Sequence, residues 1–193
     1  MTCVTPVVAR IAPFPHAVTA SLLEPAVAEQ VLQWLETDAP WKLRIADFYE
    51  QHEFELSDRT LPVRLRGLVS PDAVKAYIET MVAPIADGSV RLVEATAHKL
   101  CGGQAIRIHN DYIGGEETHR LLVQLNRGWA DENGGFLMLF SSPNADDLAR
   151  IIRPLHGSAV AFEISPKSYH AVSATTGGER YTLVFAFKRE HRQ

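Results

Sequence analysis

The sequence has little cysteine, no long apolar run and no excess of basic residues. Cys3 and Cys101 are the only cysteines in 193 residues, which excludes a disulfide scaffold and a cysteine-rich zinc site. No segment approaches the ~18 unbroken apolar residues of a membrane helix, so we expect no membrane association. The formal net charge is −4, from 19 Lys+Arg and 23 Asp+Glu, which argues against a nucleic-acid partner.

What is present is typical of a folded enzyme-sized protein. Hydrophobic residues make up 46% and charged residues 22% of the chain, and this length can bury a full core without covalent links. No linker, repeat or low-complexity tract interrupts it, so we expect residues 1–193 to form one domain. The N-terminus lacks the basic start of a signal peptide, and two cysteines suit a reducing compartment, so a cytoplasmic location is expected.

The chain changes character near residue 89. Before it, apolar spacing predicts a helix over 25–37 and a second helix that starts at Ser70-Pro71-Asp72 and ends near Pro84. After it, short strands with Gly-rich turns are predicted at about 90–98, 104–110, 119–126, 135–140, 157–163, 169–173 and 180–188. This pattern indicates an α+β, mainly β protein. A jelly-roll core over 89–188 would carry the helices of 1–88 on one outer face.

Candidate metal ligands cluster in the strand-rich half. His109 and Asp111 stand two apart at a predicted strand end, where side chains share a face, and together could occupy two positions on one metal. His170, in a strand-like run further along, is the best third ligand. Arg180 opens the most β-rich stretch, and a buried guanidinium needs a partner. No nearby acid is obvious, so a ligand carboxylate would suit it.

This order of residues resembles the Fe(II)/2-oxoglutarate-dependent oxygenases, and within them the prolyl-4-hydroxylase-like group. Three further segments are similar to that group: LLVQLN at 121–126, GGFLMLF at 134–140 and, more loosely, FPH at 14–16. The resemblance implies a double-stranded β-helix with Fe(II) held by His109, Asp111 and His170. It also implies 2-oxoglutarate against Arg180 and Thr182, with O2 as the other cosubstrate.

The chain departs from the group's pattern at two positions. Gln124 and Lys99 stand where many relatives have tyrosines that contact the cosubstrate, and we expect both to reach its carboxylates. Arg107 and Tyr112, beside the metal ligands, are candidates for substrate contacts. Residues 48–66 are either a lid over the site or a solvated connection, and the sequence leaves both open.

The resemblance implies hydroxylation of an unactivated C–H bond of an amino-acid residue in a peptide or protein. The same chemistry on a free amino acid or small molecule, or oxidative peptide cross-linking, are alternatives. From a different class, a cupin-like metal-binding isomerase or sensor would work without 2-oxoglutarate, and would not require the carboxylate-binding Arg180. The sequence leaves the oligomeric state undetermined.

Overall fold

A computed structural model describes residues 5–190, so that Cys3 lies outside the described range. Within that range the chain forms twelve strands and two α-helices. The helices are α1 (Pro25–Thr37) and α2 (Pro71–Tyr77). The strands are β1 (Val8–Arg10), β2 (His16–Thr19), β3 (Lys42–Ala46), β4 (Tyr49–Glu55), β5 (Val90–Leu100), β6 (Ile106–His109), β7 (His119–Gln124), β8 (Leu137–Phe140), β9 (Leu148–Ile152), β10 (Ala159–Glu163), β11 (His170–Val172) and β12 (Arg180–Arg189).

The twelve described strands form one antiparallel sheet that curls into two facing layers. Its order is β1-β2-β10-β7-β12-β5-β4-β6-β11-β8-β9, and β3 extends the sheet beside β4. The curl occurs between β4 and β6, which are joined through the pair Tyr49 and Ile106. β6, β11, β8 and β9 form the smaller layer, and the remaining strands form the larger one. This is the jelly-roll-like architecture that the sequence predicts.

Side-chain alternation assigns the two faces of the larger layer. On β12, Leu183 and Phe185 pack outward with the helices, while Thr182 and Val184 point between the layers. β7 and β10 repeat this pattern, and the inner face meets Leu137, Leu139 and Val172 of the smaller layer. The inner space therefore receives every second residue of each central strand.

The helices cover the outer face of the larger layer, as predicted. Helix α1 has the predicted bounds and buries Val31, Leu32 and Leu35 in the outer core. The side chain of Ser70 caps α2 by accepting a hydrogen bond from the Ala73 amide at 3.3 Å. Beyond Tyr77 the chain widens into a π-helical turn over Ile78–Val82, close to the predicted end.

Three strands have no clear signal in the sequence. β1 and β2 are short, and β9 is a largely exposed edge strand, so none of them shows a long alternation of buried and exposed residues. The remaining strands after residue 89 match the predicted ones to within a few residues. Among residues 5–190, no helix combines the length and the apolar character needed to cross a bilayer.

Candidate active site

A cavity of about 250 Å³ lies between the two layers. Its apolar wall comes from the inner core, including Leu122, Phe162 and Val184. Its polar wall comes from β3, β4, β5, β7 and β12 and from the ends of β6 and β11. The polar and ionisable lining residues are Arg44, Tyr49, Gln51, Glu53, Glu94, Thr96, His98, His109, Asp111, Arg120, His170, Arg180 and Thr182.

His109, Asp111 and His170 meet in this cavity. One potential ligand atom from each lies within 4.8 Å of the others. Asp111 Oδ1 is 3.3 Å from His109 Nε2, and Asp111 Oδ2 is 3.1 Å from His170 Nε2. His109 closes β6 and His170 opens β11, and the two residues are direct partners in the β6–β11 ladder. Strand pairing therefore brings together two histidines that are 61 positions apart in the chain.

Both imidazole rings are oriented by the backbone. His109 Nδ1 lies 2.8 Å from the Arg107 carbonyl oxygen, and His170 Nδ1 lies 2.8 Å from the Ser168 carbonyl oxygen. A carbonyl accepts only, so each Nδ1 carries the proton and each Nε2 presents a lone pair. Burial also lowers the pKa of His170, which keeps that ring neutral. Two lone pairs and a carboxylate thus converge on one point.

Asp111 reaches the histidines by a turn, and this differs from the predicted strand geometry. β6 ends at His109, and Asp111 has a φ of 56° in the left-handed region. The expectation that both residues share one strand face is therefore wrong, although the two side chains do meet. Asn110 assists the turn, since its Oδ1 accepts a hydrogen bond from the Tyr112 amide at 3.1 Å.

Arg120 is a site residue that the sequence analysis missed. Its Nη1 donates to Asp111 Oδ2 and its Nη2 donates to Glu117 Oε2, both at 2.6 Å. Burial alone would raise the pKa of the Asp111 carboxyl, but the Arg120 guanidinium holds that pKa well below its usual range. Arg120 therefore keeps the carboxylate ionised and fixes one of its oxygens. The sequence carries no signal for this role, which follows from the position of Arg120 on the inner face of β7 opposite Ala186.

Arg180 is the first residue of β12, and its side chain lines the cavity. It is 3% exposed, and its Nη1 donates to Thr182 Oγ1 at 2.9 Å. Its Nε and Nη2 have no hydrogen-bond partner within residues 5–190. Burial lowers the pKa of Arg180 to about 10, which still leaves it charged at neutral pH. Two buried, charged donors without acceptors therefore line the cavity, as expected of a carboxylate-binding arginine.

Gln124 is buried beside Thr182 and acts through it. The Thr182 hydroxyl donates to Gln124 Oε1 at 3.0 Å, which leaves the hydroxyl oxygen to accept from Arg180. Gln124 is not among the residues that line the cavity. The structure thus gives it an orienting contact on Thr182, in place of the direct cosubstrate contact predicted for it.

The structure does not support the predicted cosubstrate contact of Lys99, because Lys99 does not line the cavity. It lies on the outer face of β5, where its Nζ contacts Glu179 at 3.0 Å and lies 5.4 Å from the centre of the Trp41 ring. Its neighbour His98 points into the cavity instead. The alternation of side chains along a strand accounts for this one-residue difference.

Arg107 and Tyr112 also lie outside the cavity lining. The Arg107 side chain is exposed and donates to the carbonyl oxygen of Asp47. Tyr112 is 44% exposed. The structure therefore does not support the predicted substrate contacts of these two residues.

Residues 48–66 form a wall of the cavity in their first part. Residues 49–55 are strand β4, paired with both β3 and β5, and present Tyr49, Gln51 and Glu53 to the cavity. The Phe48 ring stacks on His109 with ring centres 4.6 Å apart. Further along, Leu56, Leu61 and Leu65 are buried in the outer core. The segment is thus neither a solvated connection nor a free loop.

These groups fit Fe(II) and a dicarboxylate cosubstrate. Nε2 lone pairs and carboxylate oxygens only 3.1–3.3 Å apart repel one another unless a cation lies among them, and two histidines with one carboxylate form the facial triad of non-haem Fe(II) sites. The two unpartnered donors of Arg180 likewise suit a carboxylate. The donor set thus agrees with iron and 2-oxoglutarate.

Comparison with known proteins identifies the same class. Residues 95–188 match the family model described as the 2OG-Fe(II) oxygenase superfamily. No curated protein sequence matches the chain. The matched range begins in β5 and includes the three candidate metal ligands and Arg180.

Solved structures share the fold at low sequence identity. A Pseudomonas putida prolyl-4-hydroxylase is 18% identical, with a TM-score of 0.69 over 91% of this chain and 92% of that one. A Trichoplax adhaerens prolyl hydroxylase, solved with a hypoxia inducible factor peptide fragment, is 13% identical, with a TM-score of 0.70 over 90% and 83%. HygX from Streptomyces hygroscopicus, with nickel and 2-oxoglutarate bound, is 14% identical, with a TM-score of 0.61 over 90% and 82%. Residues 95–188 of this chain thus match the 2OG-Fe(II) oxygenase superfamily, whose members use Fe(II), 2-oxoglutarate and O2.

Proposed function

We propose that this oxygenase hydroxylates an unactivated C–H bond of an amino-acid residue in a peptide or protein. His109, Asp111 and His170 bind the iron, and Arg180, oriented by its hydrogen bond to Thr182, binds the far carboxylate of 2-oxoglutarate. The observation that carries this proposal is that the triad and the two unpartnered donors of Arg180 line the same cavity. The structural likeness to prolyl hydroxylases, one of them solved with a peptide, supports a peptide substrate.

A bound iron would couple two oxidations by O2, which places one oxygen atom in succinate as 2-oxoglutarate loses CO2 and the other in the hydroxyl group formed at the substrate C–H bond. The residues of the chain orient these groups. The carbonyls of Arg107 and Ser168 fix the imidazoles, and Arg120 fixes the carboxylate. Leu122, Phe162 and Val184 keep that part of the cavity apolar, which strengthens the ionic contacts of Arg180.

Succinate formation tests this proposal. Purified protein with Fe(II), 2-oxoglutarate and O2 should form succinate slowly without any other substrate, and faster with a peptide that it hydroxylates. Asp111→Ala should abolish this turnover, whereas the control Asp87→Ala, at an exposed loop position, should leave it unchanged. Turnover that persists in Asp111→Ala would show that the metal is held elsewhere.

A small-molecule substrate is the second candidate. HygX, one of the structural neighbours, has also been solved with hygromycin B bound. Stimulation of succinate formation by free amino acids or other small molecules, but by no peptide, would favour this class. The cupin-like isomerase or sensor gains no support from the structure, since it does not explain the two buried Arg180 donors that face the cavity without an acceptor among the described residues.

A further inference from the structure

The wall formed by β3, β4 and β5 carries a connected hydrogen-bond network that includes neither the three candidate metal ligands nor Arg180. Arg44 Nη1 contacts Glu53 Oε1 at 3.2 Å, and Gln51 Nε2 donates to Glu53 Oε2 at 2.8 Å. Gln51 Nε2 also lies 3.3 Å from His98 Nδ1, and His98 Nε2 lies 3.0 Å from Thr96 Oγ1. All five side chains line the cavity.

The donors and acceptors in this network can be assigned without ambiguity. Glu53 accepts only, so the amide nitrogen of Gln51 must face it, and this fixes the orientation of the whole side-chain amide. Burial first, then the Arg120 and Arg180 guanidiniums, lower the pKa of His98 to about 3, so this ring is neutral. Its Nδ1 therefore accepts from Gln51, and its Nε2 donates to Thr96. Both amide hydrogens of Gln51 are then in use.

One acceptor in the network, Gln51 Oε1, receives no hydrogen bond from residues 5–190. Gln51 is 2% exposed, and its Oε1 has no hydrogen-bond partner among the described residues. A buried acceptor without a donor costs about 1–3 kcal/mol, so a partner is expected in the working enzyme.

The chemistry of the surroundings limits the kind of donor that can pair with Gln51 Oε1. At neutral pH 2-oxoglutarate is a dicarboxylate without a hydrogen-bond donor, and O2 has none, so an acceptor cannot serve either cosubstrate. A cationic partner is disfavoured, because the guanidiniums of Arg44, Arg120 and Arg180 all act on the neighbouring His98. A neutral donor remains, which is either a water molecule or a group of the substrate that is oxidised.

We propose that Gln51 Oε1 accepts a hydrogen bond from an amide N–H of the substrate and so determines which substrates are oxidised. This inference rests on the proposed function and specifies the contact that a peptide makes inside the cavity. Gln51 is a specificity-determining residue here, and it takes no part in binding iron or 2-oxoglutarate.

The test compares paired probes. The probes are N-acetyl amino-acid N-methylamides covering the common side chains, each also prepared with its backbone amides N-methylated. Succinate formation is measured with and without each probe. In the wild type, we expect N–H probes to exceed their N-methylated partners in stimulated kcat/KM by about 5- to 150-fold, the effect of one buried hydrogen bond.

Variants separate this role from a structural one. Gln51→Met removes the acceptor at similar size and should abolish the N–H preference, while Gln51→Glu keeps an acceptor and should retain part of it. His52→Met, at the next position of β4 on its opposite face, is the matched control and should retain all of it. Basal succinate formation and 2-oxoglutarate affinity should stay unchanged in His52→Met, whose position does not line the cavity.

Three results would overturn the inference: equal rates for the two probe forms in the wild type, an intact preference in Gln51→Met, or stimulation by none of the probes. Basal succinate formation by the wild type distinguishes these results from failure of the proposed function. Without that basal turnover, the oxygenase assignment of the site itself would be wrong.

Discussion

Replacing Arg180 with methionine should stabilise the protein without ligand while it weakens cosubstrate binding. The guanidinium is 3% exposed and has two donors without partners. Burial lowers the pKa of Arg180 from 12.5 to about 10. Since one pKa unit corresponds to about 1.4 kcal/mol, the buried charge costs roughly 3 kcal/mol. Apolar replacements of buried charges are accordingly often stabilising, by about 1–4 kcal/mol.

Arg180→Met is therefore expected to increase the stability of the protein and to decrease its affinity for 2-oxoglutarate. Arg180→Met should raise the free energy of unfolding by about 1–3 kcal/mol, which corresponds to roughly 2–12 °C in Tm at this chain length. Loss of two charge-assisted hydrogen bonds, each about 1.5–3 kcal/mol, should weaken 2-oxoglutarate binding about 150-fold or more. Arg180→Lys keeps the charge without the planar, two-pronged donor set and should recover only part of the affinity.

Thermal unfolding without ligands and anaerobic calorimetric titration with 2-oxoglutarate measure the two effects. Fe(II) affinity is the internal control, because Arg180 is not a metal ligand and that affinity should be unchanged. A lower Tm together with unchanged 2-oxoglutarate affinity in Arg180→Met would show that Arg180 is an ordinary structural residue with no part in cosubstrate binding.

Three further predictions concern the metal ligands, the carboxylate pairing and the response to pH. Asp111→Ala should lose Fe(II) binding in calorimetry while far-UV circular dichroism stays native, since Asp111 lies in a turn outside the apolar core; native iron affinity would contradict the site. Arg120→Leu should lower the free energy of unfolding in urea by about 3–5 kcal/mol, because two partly buried carboxylates lose their partner. Arg127→Leu is the control, since the half-exposed side chain of Arg127 also bridges two carboxylates, and it should lower that free energy by under about 1 kcal/mol. Equal costs would show that burial does not matter there. Burial and the Arg189 charge lower the pKa of His119 from 6.5 to about 4. As the pH falls, the His119 imidazole is therefore protonated in the unfolded chain before it is protonated in the folded one. The free energy of unfolding should fall by about 3 kcal/mol in full as the pH drops from about 6.5 through 4. Urea unfolding at several pH values should show a shallower loss in His119→Gln, and an identical loss would exclude His119 as a cause.

Much of the architecture follows from patterns that the sequence displays directly. The spacing of Val31, Leu32 and Leu35 indicates helix α1, and the apolar strands between Gly-rich turns indicate the jelly roll. The order and spacing of His109, His170 and Arg180 in the sequence are enough to identify them as site residues, and the structure places all three at strand ends. These predictions depend on local sequence and on a resemblance, and both survive small errors in strand bounds.

The errors arise where polar residues occupy both faces of a strand. On β5, Thr96 and His98 face the cavity and Lys99 faces outward, so no apolar alternation indicates which residue points inward. On β4, Gln51 and Glu53 line the cavity. Because the inner face of this strand is polar, its sequence pattern predicts a polar loop instead of a strand. A functional cavity replaces core residues with polar ones, and this removes the signal that assigns the faces.

Other features depend on contacts that spacing does not encode. The left-handed conformation of Asp111 sets its direction, and no glycine marks that position. Arg120 contacts Asp111 because the chain returns to the site at the start of β7. Both contacts become visible only when the strands are placed in space.

The central claim is that iron and 2-oxoglutarate bind together in the cavity between His109, Asp111, His170 and Arg180. Anaerobic titration of 2-oxoglutarate into the Fe(II)-loaded protein tests it most directly, because chelation of iron by a 2-keto acid produces a visible charge-transfer absorption. This band should saturate at one equivalent in the wild type, require much higher 2-oxoglutarate in Arg180→Met, and be absent in Asp111→Ala. No band in the wild type, or an undiminished band in Asp111→Ala, would contradict it.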